Sequence, residues 1–154
     1  MEAKKVPIKF NVDDRGVLWQ IFDSKNDKIS FDGAEYLELP SIKRVYKVEN
    51  FSKDTIRGMH FHKKEWKFFT VIRGSVKFVI SPTENVTDKT KIFVLSCKKP
   101  EVLVVPPNNY NGWKSLEEDT TILGLSNFSL EETLKDDFRI LPTPFMKLFE
   151  VENR

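Results

Sequence analysis

Short apolar runs, cut every few residues by turn-forming clusters, dominate the first four-fifths of the chain and leave an all-β fold as the reading. Val6 to Val12 is a first strand candidate, with Ile8, Phe10 and Val12 on one face. Asp13-Asp14-Arg15-Gly16 is a turn and Val17 to Phe22 the returning strand. Ile29 to Phe31 and Glu35 to Leu39 flank Asp32-Gly33, a favoured hairpin pair. Further runs follow at Ile42 to Val48, Phe68 to Ile72, Ser75 to Ile80, Lys91 to Leu95, Val102 to Val105, Trp113 to Leu116 and Thr120 to Ser126. Asn108 to Gly112, after Pro106-Pro107, reads as a tight loop. About ten strands at this spacing suggest a sandwich or barrel. Helix signals wait until Ser129, where Ser129-Leu130-Glu131-Glu132 has the form of a capping box and predicts a short helix from Leu130 to about Asp136.

The chemistry concentrates in one stretch, Arg57-Gly58-Met59-His60-Phe61-His62-Lys63-Lys64. It holds both histidines of the chain. Two residues apart on a strand, their imidazoles project from one face. Lys67 then leads the apolar run Phe68 to Ile72, which closes at Arg73-Gly74.

Other features narrow the function. Basic and acidic residues nearly cancel, 25 against 23, so bulk charge gives no support to a polyanion-binding role, and phosphate recognition should be local. No nucleic-acid partner is expected. The N-terminus has no apolar signal core and no apolar run approaches about 18 residues, so a soluble cytoplasmic protein without a membrane partner is expected. The single cysteine, Cys97, excludes an internal disulfide and reads as a small core residue. At 154 residues the chain has room for one domain.

A β-sandwich carrying His-x-His before a Gly-terminated strand resembles the cupin superfamily. Metal-binding cupins add a glutamate and a third histidine; here those positions fall on Lys67 and Asn111. An ammonium repels a cation, so the resemblance implies a branch without metal or other cofactor. That branch is the RmlC-like nucleotide-sugar isomerases, and two of its families share motifs with this chain. The dTDP-4-dehydrorhamnose 3,5-epimerase family is matched by Arg57-Gly58-Met59-His60, by Lys67 to Gly74, by Asp13 to Gly16 in part, and by Pro106 to Leu116 with Asn111 and Trp113 in place of its histidine and phenylalanine. The dTDP-sugar 3,4-ketoisomerases (WxcM-like) are matched by Ile42-Lys43-Arg44-Val45-Tyr46 and by Arg57 to Lys64, with Phe61 in place of alanine.

The resemblance implies a double-stranded β-helix jelly roll with a short C-terminal helix, one cupin domain over residues 1–154 with its core at about 12–140, and a homodimer whose N-terminal strands lengthen the partner's sheet. It implies a nucleoside-diphosphate sugar as substrate, in surface-polysaccharide sugar synthesis. The expected reaction is metal-independent isomerisation of a 4-keto-6-deoxy sugar, of the 3,5-epimerase or single-carbon epimerase type, with 3,4-ketoisomerisation as the alternative. A cupin that binds sugar without turning it over is the rival of another class.

Both reactions begin with removal of a proton beside a ketone. An imidazole supplies a base with a pKa near neutrality, and His60 matches the family base. Lys67 matches a lysine beside the enolate oxygen. His62 is a second base or a donor to the sugar. Leu123 and Gly124 stand where the epimerases carry their proton-donating tyrosine, which leaves Tyr46 as the candidate acid. Arg57, Arg44 and Lys64 are candidates for the diphosphate, for which guanidinium forks are suited. Asn111, Tyr110 and Trp113 are candidates for the sugar or base. Asp136 and Asp137 are the candidates to orient the catalytic histidine.

Overall fold

A computed structural model describes residues 1–152. In chain order the strands are β1 (Lys4–Pro7), β2 (Lys9–Asp13), β3 (Gly16–Gln20), β4 (Asp23–Lys25), β5 (Lys28–Ser30), β6 (Arg44–Asn50) and β7 (Ile56–His62). They continue as β8 (Lys67–Arg73), β9 (Ser75–Ser81), β10 (Lys91–Ser96), β11 (Glu101–Val105), β12 (Asn109–Ser115), β13 (Thr120–Ser126) and β14 (Phe138–Arg139). Helix α1 (Leu130–Leu134) precedes β14, and a 3-10 turn leads into α2 (Met146–Phe149).

Two five-stranded antiparallel sheets, ordered β1-β11-β8-β13-β6 and β10-β9-β12-β7-β14, form the expected jelly roll. Their inner faces share one core, with Phe69, Val71 and Ile122 from the first sheet meeting Phe78, Ile80 and Trp113 from the second. Each sheet is also covered outside. Ile8, Ile29, Phe31 and Leu39 pack on Phe68, Val102, Val104 and Leu125 of the first. Phe145 and Phe149 pack on Met59, Val79 and Tyr110 of the second. This double covering explains the near-continuous apolar runs in β8 and β11, since strands buried on both faces lose the alternation of a half-exposed strand.

Several sequence expectations need correction. The first strand breaks at Ile8, which is buried, while Phe10 and Val12 are 50% and 67% exposed. Asn109 to Gly112 is the first half of β12 rather than a loop, the turn being confined to its entry, where Asn108 takes a positive φ of 61°. Around Asp32-Gly33 there is no hairpin of two strands: Asp32 Oδ1 caps the turn by accepting from the N–H groups of Ala34 and Glu35, and only Leu37 bridges back to Ile29. Cys97 lies half-buried beyond the end of β10, outside the core. The capping box is present, with the Ser129 hydroxyl accepting from the Glu132 N–H and the Glu132 carboxylate accepting from the Ser129 N–H.

Candidate active site

A cavity of about 490 Å³ opens between the two sheets. β6 and β8 bring Arg44, Tyr46 and Lys67 to one wall, β7 and β12 bring Arg57, His60, His62, Asn111 and Trp113 to the other, and α1 lies at the rim. The two histidine rings stand nearly parallel, 6.4 Å apart, as their spacing on one strand demands. Gly58 lets that strand approach its neighbour. Its φ is +119°, and a Cβ there would sit 2.5 Å from Gly112 Cα.

His60 is the more open of the two, its side chain 34% exposed. Its Nδ1 lies 2.8 Å from Asp137 Oδ1, so Nδ1–H donates to the carboxylate and Nε2 is left as the free lone pair. The chain delivers this aspartate through the end of α1. The helix stops at Leu134, and β14 then pairs Phe138 and Arg139 with Phe61 and His60. Arg139 donates through Nε and Nη2 to Asp137 Oδ2 at 2.9 and 2.7 Å. Burial works to raise the Asp137 carboxyl, but these hydrogen bonds outweigh it and hold the group below the usual range.

Asp136, the other candidate, has a different task. Its carboxylate accepts from the N–H groups of Lys63, Lys64 and Glu65 at 3.0, 2.9 and 3.0 Å and shapes the turn between β7 and β8. Its backbone carbonyl accepts from His62 Nδ1 at 2.9 Å.

That turn carries Glu65 inward, where the sequence, read as an extended strand, only sets it beside Lys67. Instead β7 ends at His62, and Glu65 is 1% exposed. Its Oε1 lies 2.7 Å from Lys67 Nζ and accepts from Thr133 Oγ1 at 2.8 Å, from Arg44 Nη2 at 3.3 Å and from Ser126 Oγ. Lys67 is itself buried, and desolvation pulls its pKa down against the carboxylate that holds it up.

Tyr46 lies directly across from Gly124 in the β6–β13 register. A Cβ on Gly124 would come 2.3 Å from the Tyr46 ring and 2.6 Å from its hydroxyl, so the missing side chain is the space the tyrosine fills. Burial, and next the Glu65 charge, push the phenol well above its usual pKa, which keeps it an O–H donor at neutral pH. The Arg44 guanidinium and Lys67 ammonium sit 5.3 and 5.5 Å from its ring centre.

The remaining candidates divide. Arg57 is exposed at the cavity and oriented by Asn50, whose Oδ1 accepts from its Nε at 2.7 Å. Asn111 donates to the His60 carbonyl at 3.0 Å, and Trp113 is a buried part of the core that also reaches the cavity. Lys64 is exposed and does not line the cavity, because its side chain leaves the turn on the solvent side. Tyr110 faces the opposite side of its sheet, its ring tilted against Phe61 at 4.7 Å and its hydroxyl donating to Glu84. Arg139, which the ketoisomerase resemblance reaches through Asp137-Phe138-Arg139 but gave no role, lines the cavity, as does the exposed rim pair Leu130 and Leu134, which was not singled out; the apolar i,i+4 spacing on a capped helix was the available signal for that pair.

His60, His62 and Asp137 bring three donor atoms within 4.8 Å of one another, the one such group among the described residues. The hydrogen bonds already drawn to Asp137, and the cations of Lys67 and Arg44 in the same cavity, suit this cluster to proton transfer beside an anion.

His62 gives a pH test. Desolvation and then the Lys67 charge lower its pKa, against the pull of Glu65. A histidine lowered on folding leaves the unfolded chain binding more protons as the pH drops. Its stabilisation is present above the unfolded value of about 6.5 and is lost as the pH falls from there toward the folded value. His62→Asn is expected to flatten the pH dependence of urea unfolding below about pH 6.5.

Comparison with known proteins adds to this geometry. The model of the FdtA family, described as WxcM-like, C-terminal, matches residues 8–139. Among solved structures, the QdtA 3,4-ketoisomerase from Thermoanaerobacterium thermosaccharolyticum in complex with TDP is similar at 25% identity, over 95% of this chain and 93% of that one, with a TM-score of 0.70. A mutant of that enzyme in complex with TDP-4-keto-6-deoxyglucose gives the same values. The dTDP-4-dehydrorhamnose 3,5-epimerase from Sulfolobus tokodaii is similar in fold, at 18% identity over 93% of this chain and 79% of that one, TM-score 0.74. No curated protein matches.

Proposed function

This chain belongs to the FdtA family (WxcM-like, C-terminal), and we propose that it isomerises a 4-keto-6-deoxy sugar carried on a nucleoside diphosphate, moving the ketone from carbon 4 to carbon 3. The observation that carries this reading is the His60–Asp137 pair facing a cavity that Tyr46 and Lys67 line from the opposite sheet. His60 Nε2 takes the proton from carbon 3. The Lys67 ammonium stabilises the enediolate oxygen as charge develops. The proton returns to carbon 4, and Tyr46 O–H serves the exchange between the two oxygens. Arg57 at the open edge holds the diphosphate; Arg44 is turned inward to Glu65 and Thr133.

The sequence alone leans toward a 3,5-epimerase. Two observations favour the ketoisomerase instead. The family match and the 25% identical ketoisomerase support it, and β13 offers Gly124, with Tyr46 rather than a β13 side chain filling the space. The test is carbon-13 NMR of dTDP-4-keto-6-deoxyglucose incubated with the protein. The carbonyl signal is expected to leave carbon 4 and appear at carbon 3. A ketone retained at carbon 4, with inversion at carbon 3 or 5, would make the protein an epimerase.

We also propose that the functional unit is a homodimer. The β2–β3 hairpin pairs Phe10 with Trp19 and Val12 with Val17, and Phe10, Val12 and Val17 are half or more exposed on one face. An apolar patch of this kind on a projecting hairpin is the mark of an interface. Val12→Asp with Val17→Asp is expected to convert a dimer to a monomer in light-scattering chromatography. A wild-type monomer would overturn the assignment. No helix among the described residues is long and apolar enough to cross a membrane.

A further inference from the structure

We propose that Glu65 is a positioning residue of this site, its buried carboxylate presenting the Lys67 ammonium to the reacting sugar and holding the His62 ring in one orientation. The inference rests on the function proposed above and adds to it a residue that neither motif contains. Glu65 does not line the cavity. It acts through groups that do.

Oε1 is the meeting point. Lys67, Arg44, Thr133 and Ser126 converge on that one oxygen, drawing together β6, β8, β13 and α1. Lys67 and Arg44 are both shielded from water, with side chains 8% and 18% exposed. Two such cations on one wall repel each other unless a negative charge stands between them. Lys67 faces Glu65, Arg44, Tyr46 and Asp137, and of the two carboxylates among these Glu65 is the one in direct contact. Removing it leaves the ammonium without the partner that fixes its place beside the substrate.

Oε2 acts on the histidine. It lies 3.1 Å from His62 Nδ1, outside hydrogen-bond geometry, while that same nitrogen donates to the Asp136 carbonyl. Both neighbours of Nδ1 are acceptors, so Nδ1 carries the hydrogen and Nε2 carries the lone pair. His62 meets Lys67, Glu65, Asp136 and Asp137, and Nε2 stands 3.9 Å from Asp137 Oδ1. Glu65 therefore places one catalytic ammonium and sets its negative charge beside the His62 nitrogen whose hydrogen goes to the Asp136 carbonyl.

The test uses Glu65→Gln and Glu65→Asp in the full chain, with folding checked by circular dichroism. Turnover of dTDP-4-keto-6-deoxyglucose is expected to fall about 100-fold in kcat, the effect of a displaced catalytic group, with KM changed less than about twofold because the diphosphate contacts remain. The second readout needs no activity. The chain has two histidines, so nitrogen-15 NMR of the imidazoles is simple to assign. The wild-type His62 is expected to show Nδ1 protonated and Nε2 free, and Glu65→Gln, whose amide can turn a donor toward Nδ1, to disturb that pattern. A folded Glu65→Gln with unchanged kcat and an unchanged His62 spectrum would overturn the proposal. Should that variant not fold, an unchanged kcat and His62 spectrum in Glu65→Asp would overturn it equally. If the wild type turned over no keto sugar, the function would fail alone, and the nitrogen-15 pattern would still decide whether Glu65 positions His62.

Discussion

Replacing His60 by asparagine is expected to lower turnover of dTDP-4-keto-6-deoxyglucose by about 10²–10⁴-fold, the range that a positioned general base supplies. The melting temperature should stay within a few degrees, because the ring is one-third exposed and the change removes little buried area. Asparagine keeps an amide donor for Asp137 and loses the Nε2 lone pair. That separates the base from the scaffold around it. Nucleotide binding should survive, since Arg57 and its Asn50 brace lie elsewhere on the cavity wall. A variant retaining more than about a tenth of wild-type kcat would remove His60 as the base.

Lys67→Met is expected to have the largest effect on stability. Methionine fills the volume of the lysine stem but leaves Glu65 buried without its nearest cation, at 2.7 Å in the wild type. Breaking a buried pair from one side costs about 3–5 kcal/mol, because the remaining charge keeps its desolvation penalty. Arg44 at 3.3 Å, together with the hydroxyls of Thr133 and Ser126, offsets part of this. The double variant Lys67→Met with Glu65→Leu should recover much of the loss, since exchanging a whole buried pair for apolar groups is often neutral. Neither variant should regain activity, as the charge beside the enediolate is gone. Urea unfolding and turnover, measured on the same two proteins, separate the stabilising role of Lys67 from its chemical one.

The contrast between Glu65 and the two histidines shows what was legible in the chain. His60 and His62 stand two apart within a strand, and the period of two puts both rings on one face whatever the fold around them. The capped helix at Ser129 was legible for the same local reason, as its hydrogen bonds lie within four residues. Glu65 sits in a turn, where no period says which way a side chain points. What turns it inward is Asp136, seventy-one residues on, accepting from its N–H. Tyr110 failed differently. Its place on a strand was hidden by the preceding Pro-Pro, and its face is decided by Phe145 and Phe149 covering the sheet from outside. Periodicity assigns residues to faces. It does not say which face a distant segment will cover. The same limit applies to Phe10 and Val12, grouped correctly on one side of β2 but left exposed on the isolated chain.

Proton exchange in heavy water distinguishes ketone transfer from epimerisation and shows whether His60 is the base. The protein is incubated with dTDP-4-keto-6-deoxyglucose in heavy water, with His60→Asn alongside, and the sugar is followed by NMR. Deuterium is expected at carbon 4 with the ketone at carbon 3, and almost none in the His60→Asn sample over the same time. Deuterium at carbon 3 or 5 with the ketone still at carbon 4, or exchange at the wild-type rate without His60, would contradict it.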